Sequence, residues 1–165
     1  MIATLPSLGA GTVHSNYLDA YSHPRALNYM TGVCKTLLGS IKFDTILYTG
    51  ISGSLIATPL GIRMHKYACA VRKDDSHSLK PLEGILGQRV LIVDDFVSSG
   101  DSLRNMLKIV RGKKYAREVA GCLLYNCWTQ KENSAEKYAK RFKCDFYLSE
   151  IKHIKKAYSL AGFTF

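Results

Sequence analysis

The chain has 165 residues, of which 47% are hydrophobic and 22% charged, and a formal net charge of +10 at pH 7. This length fits a single domain over 1–165, and no apolar run reaches the ~18 residues that a membrane span requires. The N-terminus lacks the pattern of a signal peptide. Five widely spaced cysteines without a Cys-x-x-Cys motif predict reduced thiols. We therefore expect a cytoplasmic protein without a membrane partner.

Apolar periodicity predicts helices and strands that alternate along the chain. Strands are expected at 45–49, 66–71, 90–93, 119–125 and 144–148. Helices are expected at 25–39, after a turn at 50–54 and up to about Leu60, from near Gly100, and at 132–142. A long loop is expected at 73–87. This alternation predicts an α/β fold with a central, mostly parallel sheet of about five strands flanked by helices, and ligands at the carboxyl ends of the strands.

The most informative stretch is 90–102. A buried strand ends in two carboxylates, Asp94 and Asp95, and a helix follows a hydroxyl-rich turn made of Ser98, Ser99, Gly100, Asp101 and Ser102. Backbone N–H groups at a helix start favour a phosphate, and carboxylates accept hydrogen bonds from vicinal sugar hydroxyls. The stretch therefore indicates a phosphorylated sugar. The alternative is an acidic pair that caps the helix, beside ordinary turn residues.

The same stretch resembles the signature of type I phosphoribosyltransferases. The resemblance implies that Asp94 and Asp95 hold the ribose 2- and 3-hydroxyls of phosphoribosyl pyrophosphate (PRPP), and that residues 98–102 cradle its 5-phosphate. Asp101 departs from the family pattern in its charge, so its side chain is expected to point away from the phosphate. Ser98 stands where 6-oxopurine-type members carry an Asp, which argues against hypoxanthine or guanine as the substrate.

A second part of the site is implied by the turn after the first strand. In this family the corresponding loop binds pyrophosphate, and two glycines allow an anion to approach the backbone closely. The residues that correspond here are Ile51, Ser52, Gly53 and Ser54. Many orotate-type members place a Lys in or just after this loop, but no Lys occurs between Lys42 and Lys66.

The predicted loop 73–87 opens with a third part of the site. Arg72 and Lys73 resemble the Arg-Lys pair that opens the catalytic loop of orotate and adenine phosphoribosyltransferases, and His77 is similar to a His of the orotate enzymes with a spacing about one residue short. The alternative is a solvated, charged loop. A structureless loop of this length in a compact domain is usually functional or mobile.

The resemblance implies a reaction as well as a fold. We expect transfer of the phosphoribosyl group of PRPP to a nitrogenous base, orotate first, with Mg²⁺ bound through PRPP near Asp94 and Asp95 rather than by a set of direct protein ligands. The family also implies a homodimer and a hood subdomain built from the termini, here about 1–24 and 145–165. Tyr147, Tyr158, Phe163 and Phe165 are candidates for stacking on the base, although core packing is the commoner role for aromatic residues.

Two other functions remain open. A non-catalytic relative that senses PRPP or a nucleotide and binds RNA through its basic surface is favoured by the missing loop lysines and by the net charge of +10. The intact acidic pair and the Arg-Lys pair favour the enzyme, so nucleic acid is not the preferred partner. A sugar-phosphate-binding domain of a larger assembly is the third alternative.

Overall fold

The computed structural model describes residues 16–72, 80–128 and 134–163. These ranges contain helices and strands that alternate along most of their length. The helices are α1 (Asn16–Ser22), α2 (Pro24–Leu37), α3 (Gly50–Met64), α4 (Asp101–Arg111), α5 (Ser134–Phe142) and α6 (Ile151–Leu160). The strands are β1 (Thr45–Thr49), β2 (Tyr67–Val71), β3 (Leu82–Gly84), β4 (Arg89–Asp94), β5 (Glu118–Leu124) and β6 (Phe146–Leu148).

The strands form one sheet in the order β3-β2-β1-β4-β5-β6. Every neighbouring pair is parallel except β2 and β3, which are antiparallel. The predicted α/β fold is confirmed, and β4, which carries the acidic pair, is central. The sheet has one strand more than expected because Leu82–Gly84, inside the predicted loop 73–87, pairs with β2. Three residues carry too little alternation to reveal such a strand.

Helices cover both faces of the sheet, which explains the unbroken apolar run in β4. Leu91 and Val93 pack in one core with residues of α1, α2, α3 and α6. Val90 and Ile92 point to the opposite face, where they pack with residues of α4 and α5. No helix in the described ranges is long and apolar enough to cross a membrane.

The chain departs from the predicted elements near the first turn and at its two ends. Helix α3 begins directly at Gly50, whose φ of 66° lets the chain reverse at the end of β1, so residues 50–54 form the first turns of a helix rather than a loop. The tail forms α6, which buries Ile154, Ala157 and Tyr158. Helix α1 lies in the segment of weak periodicity. By contrast, α4 begins where the apolar spacing predicted and buries Leu103, Met106, Leu107 and Val110.

Candidate functional site

A pocket of about 190 Å³ opens at the carboxyl ends of β1 and β4. Its walls come from two strand-to-helix junctions, which are adjacent because the two strands are parallel neighbours. The lining residues are Thr49, Gly50 and Ser52 from the first junction and the continuous run 94–103 from the second. The acidic pair and the hydroxyl-rich turn therefore face one cavity, and the start of α3 forms its opposite wall.

The acidic pair is buried at the base of this pocket. Asp94 is 9% exposed and Asp95 8%, and the backbone N–H of Asp95 donates to Oδ1 of Asp94 at 3.0 Å. Burial and the neighbouring carboxylate raise the pKa of Asp94 to about 8. Two buried carboxylates side by side lower the stability of the fold, and a ligand with hydroxyl donors or a cation would offset this cost.

The two residues that follow β5 hold the backbone of the acidic pair in place. The N–H of Tyr125 donates to the carbonyl of Asp94 at 3.2 Å, and the N–H of Asn126 donates to the carbonyl of Asp95 at 2.9 Å. The Tyr125 hydroxyl then reaches across the pocket wall and donates to the carbonyl of Ser52 at 2.7 Å. Tyr125 therefore connects the two junctions. Sequence analysis missed this residue, since its partner is 73 positions away and leaves no local pattern.

The hydroxyl-rich turn contains a glycine with a positive φ, Gly100, and an acidic residue, Asp101, whose charge is unusual beside a phosphate site. Gly100 has a φ of 85°, and α4 begins directly after it, so the first N–H groups of that helix lie at the pocket. Asp101 accepts hydrogen bonds from the Ser99 hydroxyl at 2.6 Å and from Arg104 at 2.6 Å. These two contacts lower the pKa of the Asp101 carboxyl. The departure from the family pattern is thus balanced locally by a guanidinium.

The four residues expected to bind pyrophosphate do not share one role. Ser52 lines the pocket, whereas Ile51 is 75% exposed. Gly53 is buried, and a Cβ there would lie 3.0 Å from the Cβ of Tyr48, so this glycine permits close helix–strand packing. Ser54 donates its hydroxyl to the carbonyl of Ile51 at 2.8 Å. Gly50, one of the two glycines of the predicted turn, lines the pocket together with Thr49, which sequence analysis did not single out. Both lie there because the helix begins at residue 50.

Arg72 follows β2 and lies beside the site rather than in it. Its guanidinium pairs with Glu83 on β3 at 3.2 Å, and it is not among the residues that line the pocket. The preceding residue, Val71, accepts a hydrogen bond at 3.0 Å from the hydroxyl of Thr49, which does line the pocket. Lys73 and His77 lie outside the described residues.

Two further pocket residues, Phe96 and Val97, stand between the acidic pair and the turn. Sequence analysis did not name them as site residues, although they lie within the stretch 90–102.

The aromatic candidates for stacking on a base differ in their burial, and Tyr147 and Phe163 are half-buried. Tyr158 is 5% exposed and forms edge contacts with Tyr21 and Trp128 at centroid distances of 5.8 and 5.3 Å. Tyr158 is therefore a core residue, and Phe165 lies outside the described residues.

Known proteins resemble this chain in sequence and in fold. The model of the phosphoribosyl transferase domain family matches residues 41–161. Orotate phosphoribosyltransferase of Pyrobaculum calidifontis is 29% identical over 125 residues, an alignment that covers 72% of this chain and 64% of that protein. Adenine phosphoribosyltransferase of Thermoanaerobacter pseudethanolicus superimposes with a TM-score of 0.59 at 21% identity, over 79% of this chain and 82% of that chain. Orotate phosphoribosyltransferase of Mycobacterium tuberculosis, solved with PRPP, superimposes with a TM-score of 0.61 at 21% identity, over 78% and 75%.

Proposed function

Because the chain belongs to the phosphoribosyl transferase domain family, we propose that it transfers the 5-phosphoribosyl group of PRPP to a nitrogenous base and releases pyrophosphate. Orotate is the first choice of base, since the Pyrobaculum relatives are orotate phosphoribosyltransferases. The chain spans 64% of the length of each of these relatives. The observation that carries the proposal is the pocket itself, which is lined on one side by the buried acidic pair and the turn at the start of α4, and on the other by the start of α3.

Each part of the pocket has a task in this reaction. A nitrogen of the base forms a bond to C1 of the ribose, and the bond from C1 to the pyrophosphate oxygen breaks with its electron pair. Positive charge builds on the sugar in the transition state, and the carboxyl groups of Asp94 and Asp95 stabilise it while they hold the ribose hydroxyls. This positive charge favours the ionised form of Asp94, whereas burial raises the pKa of that group. The turn 98–102 holds the 5-phosphate, and the start of α3 at Gly50 and Ser52 receives the pyrophosphate.

The donor set of the pocket suits Mg²⁺ only in combination with PRPP. Among the residues that the structure describes, no group of three or more His, Cys, Asp or Glu side chains is placed to hold a metal. Mg²⁺ is commonly bound by one or two carboxylates together with substrate phosphates. Asp94 and Asp95 offer such carboxylates and would hold the ion with the substrate. When bound, Mg²⁺ neutralises charge on the pyrophosphate as it leaves.

The test of this function is pyrophosphate release from PRPP and Mg²⁺ with a panel of bases, orotate among them. We expect one base to support turnover that depends on both PRPP and the metal. Binding of PRPP without turnover of any base would contradict the proposed enzymatic activity. Steeply salt-dependent RNA binding in that case would favour the PRPP-sensing regulator.

Replacing Arg72 by Ala is expected to lower kcat about tenfold or more and to change the Kd of PRPP by less than about threefold. Charge on the pyrophosphate grows as its bond to C1 breaks, so attraction from Arg72 is strongest in the transition state. Steady-state kinetics and calorimetry measure the two effects. Arg89→Ala is the matched control, since Arg89 forms a similar pair with Glu118 on the neighbouring strand at 3.2 Å but lies at the amino end of β4, whereas the pocket lies at the carboxyl end. Equal losses of kcat in both variants would contradict a catalytic role.

We also propose a homodimer that buries the outer face of α3, with the termini forming the hood. Helix α3 is mostly apolar and only weakly amphipathic, and Ile51 and Ile62, which lie on one side of it, are 75% and 74% exposed. Helices that are apolar all round are normally buried. Sedimentation equilibrium checks this proposal, and a monomer at micromolar concentration would contradict it.

The free cysteines of the described residues support a reducing compartment such as the cytoplasm.

A further inference from the structure

Two guanidinium groups converge on one backbone carbonyl in the phosphate turn. Nη2 of Arg141 donates to the carbonyl of Ser99 at 2.8 Å, and Nη2 of Arg104 donates to the same oxygen at 3.0 Å. Arg104 belongs to the helix that the turn begins, and its charge is paired with Asp101 at 2.6 Å. Arg141 comes from α5, 42 positions along the chain. A carbonyl that accepts from two cations is strongly oriented.

The orientation of this carbonyl sets the direction of the next N–H group. In a planar trans peptide the carbonyl and the N–H that follows point to opposite sides. Ser99 and Gly100 both line the pocket, whereas Arg104 and Arg141 do not. With the Ser99 oxygen turned toward the two guanidinium groups, the Gly100 N–H is directed to the pocket side. A carbonyl in its place would repel a phosphate.

The position of Arg141 is itself well defined. Its guanidinium lies 4.9 Å from the ring centroid of Phe142, a side chain that is 5% exposed. That ring contacts the turn directly, because a Cβ on Gly100 would lie 2.7 Å from its Cζ. Arg111 on α4 donates to the carbonyls of Phe142 at 3.1 Å and of Lys143 at 2.7 Å. The end of α5 is therefore attached both to α4 and to the turn.

We propose that Arg141 is a positioning residue for the 5-phosphate: it holds the Ser99 carbonyl outward so that the Gly100 N–H remains available to the anion. This inference rests on the proposed function, since it assigns the turn to the 5-phosphate of PRPP. Arg141 is exposed, so its removal leaves the cores intact. One net hydrogen bond is worth a factor of about three to ten in binding, and we expect a loss of that size for ligands that carry the 5-phosphate.

The experiment compares two ligands that occupy different ends of the pocket. Calorimetry of the full chain with ribose 5-phosphate and, separately, with pyrophosphate is carried out on the wild type, Arg141→Ala, Arg141→Lys and Lys140→Ala. The Ala variant at 141 is expected to lose affinity for ribose 5-phosphate about three- to tenfold and to keep its affinity for pyrophosphate. The Lys variant regains part of the loss, since an ammonium can still donate to the carbonyl. In kinetics, KM for PRPP rises while kcat is unchanged.

Lys140→Ala is the matched control, because it removes the same charge from an exposed position of the same helix. An equal loss of ribose 5-phosphate affinity in Lys140→Ala would mean that the loss in Arg141→Ala reflects only general electrostatic attraction, and it would overturn the inference. Equal losses for both ligands, or a lowered melting temperature at Arg141→Ala, would overturn it in favour of a structural role. Unchanged ribose 5-phosphate binding would also overturn it and leave the proposed function intact. A wild type that binds neither PRPP nor ribose 5-phosphate would overturn both.

Discussion

Replacing Asp95 by Asn is expected to weaken PRPP binding about tenfold or more, and replacing Asp94 and Asp95 together about a hundredfold or more. Each substitution removes a charged acceptor for a ribose hydroxyl, and a hydrogen bond to a charged group contributes roughly 1.5–3 kcal/mol. The change is nearly isosteric, and the backbone hydrogen bonds from Tyr125 and Asn126 to the two residues are retained. Calorimetry with PRPP and Mg²⁺ measures the loss, and unchanged affinity in the double variant would contradict the assignment of the pair to the ribose.

The double substitution of Asp94 and Asp95 by Asn is also expected to raise the free energy of unfolding. A variant that is more stable but binds PRPP more weakly would show that the two carboxyl groups serve binding rather than the fold. The pKa of Asp94 is raised to about 8 by burial and by Asp95, so between pH ~4 and ~8 the folded state keeps a proton that the unfolded state releases. The free energy of unfolding of the wild type therefore falls as the pH rises through this window. Urea titrations at pH 5 and pH 8 should show this slope, and Asp94→Asn should reduce it.

Asp44→Asn provides the opposite control for stability. Its carboxylate accepts hydrogen bonds from the N–H groups of Gln88 at 2.8 Å and Arg89 at 3.0 Å. These bonds outweigh the effect of desolvation, and the pKa of Asp44 is lowered. Asp44→Asn should decrease stability near neutral pH, whereas Asp94→Asn should increase it, because folding no longer requires that a carboxyl group retain a proton that the unfolded chain releases. A decrease at both positions would contradict the view that the acidic pair is kept at the expense of stability.

Replacing Gly100 by Ala is expected to lower both stability and PRPP affinity. An L residue at a φ of 85° is strained by about 1–2 kcal/mol, and the new Cβ would lie 2.7 Å from Cζ of Phe142. Relief of that contact must shift either the turn or α5, and it therefore moves the N–H groups that receive the phosphate. We expect an affinity loss of about tenfold, since hydrogen bonds to an anion are strong and directional.

Gly162→Ala is the matched control, since Gly162 has a φ of 86° and a Cβ there has no neighbour within 4 Å. It isolates backbone strain from displacement of the turn. Thermal unfolding and calorimetry of the two variants measure both quantities. We expect comparable strain, a larger fall in the melting temperature at Gly100, and loss of PRPP affinity only there. Wild-type affinity in Gly100→Ala would show that the turn does not hold the phosphate.

The parts of the site that sequence predicted are those encoded by neighbouring residues. Asp94, Asp95 and the turn after them form a strand-turn-helix unit whose apolar spacing, acidic pair and glycine lie within one short stretch. The sequence predicts a turn at 50–54, where the structure has the start of α3. The difference arises because a single glycine with a positive φ at residue 50 replaces a longer turn, and the apolar residues after it show little helical amphipathicity. The contacts of Tyr125 with Ser52 and of Arg141 with Ser99 join distant segments. Only the assembled sheet and its helix layers reveal them.

Both ends of the sheet are closed by its shortest strands. β3 and β6 have three residues each, whereas β4 and β5, which have six and seven, lie inside. An edge strand offers unpaired N–H and carbonyl groups to other chains, and a short edge limits how many can pair. The described sheet therefore presents little template for intermolecular β-sheet growth, although β4 and β5 are buried and largely apolar. We expect this protection to come from the order of the strands rather than from their composition.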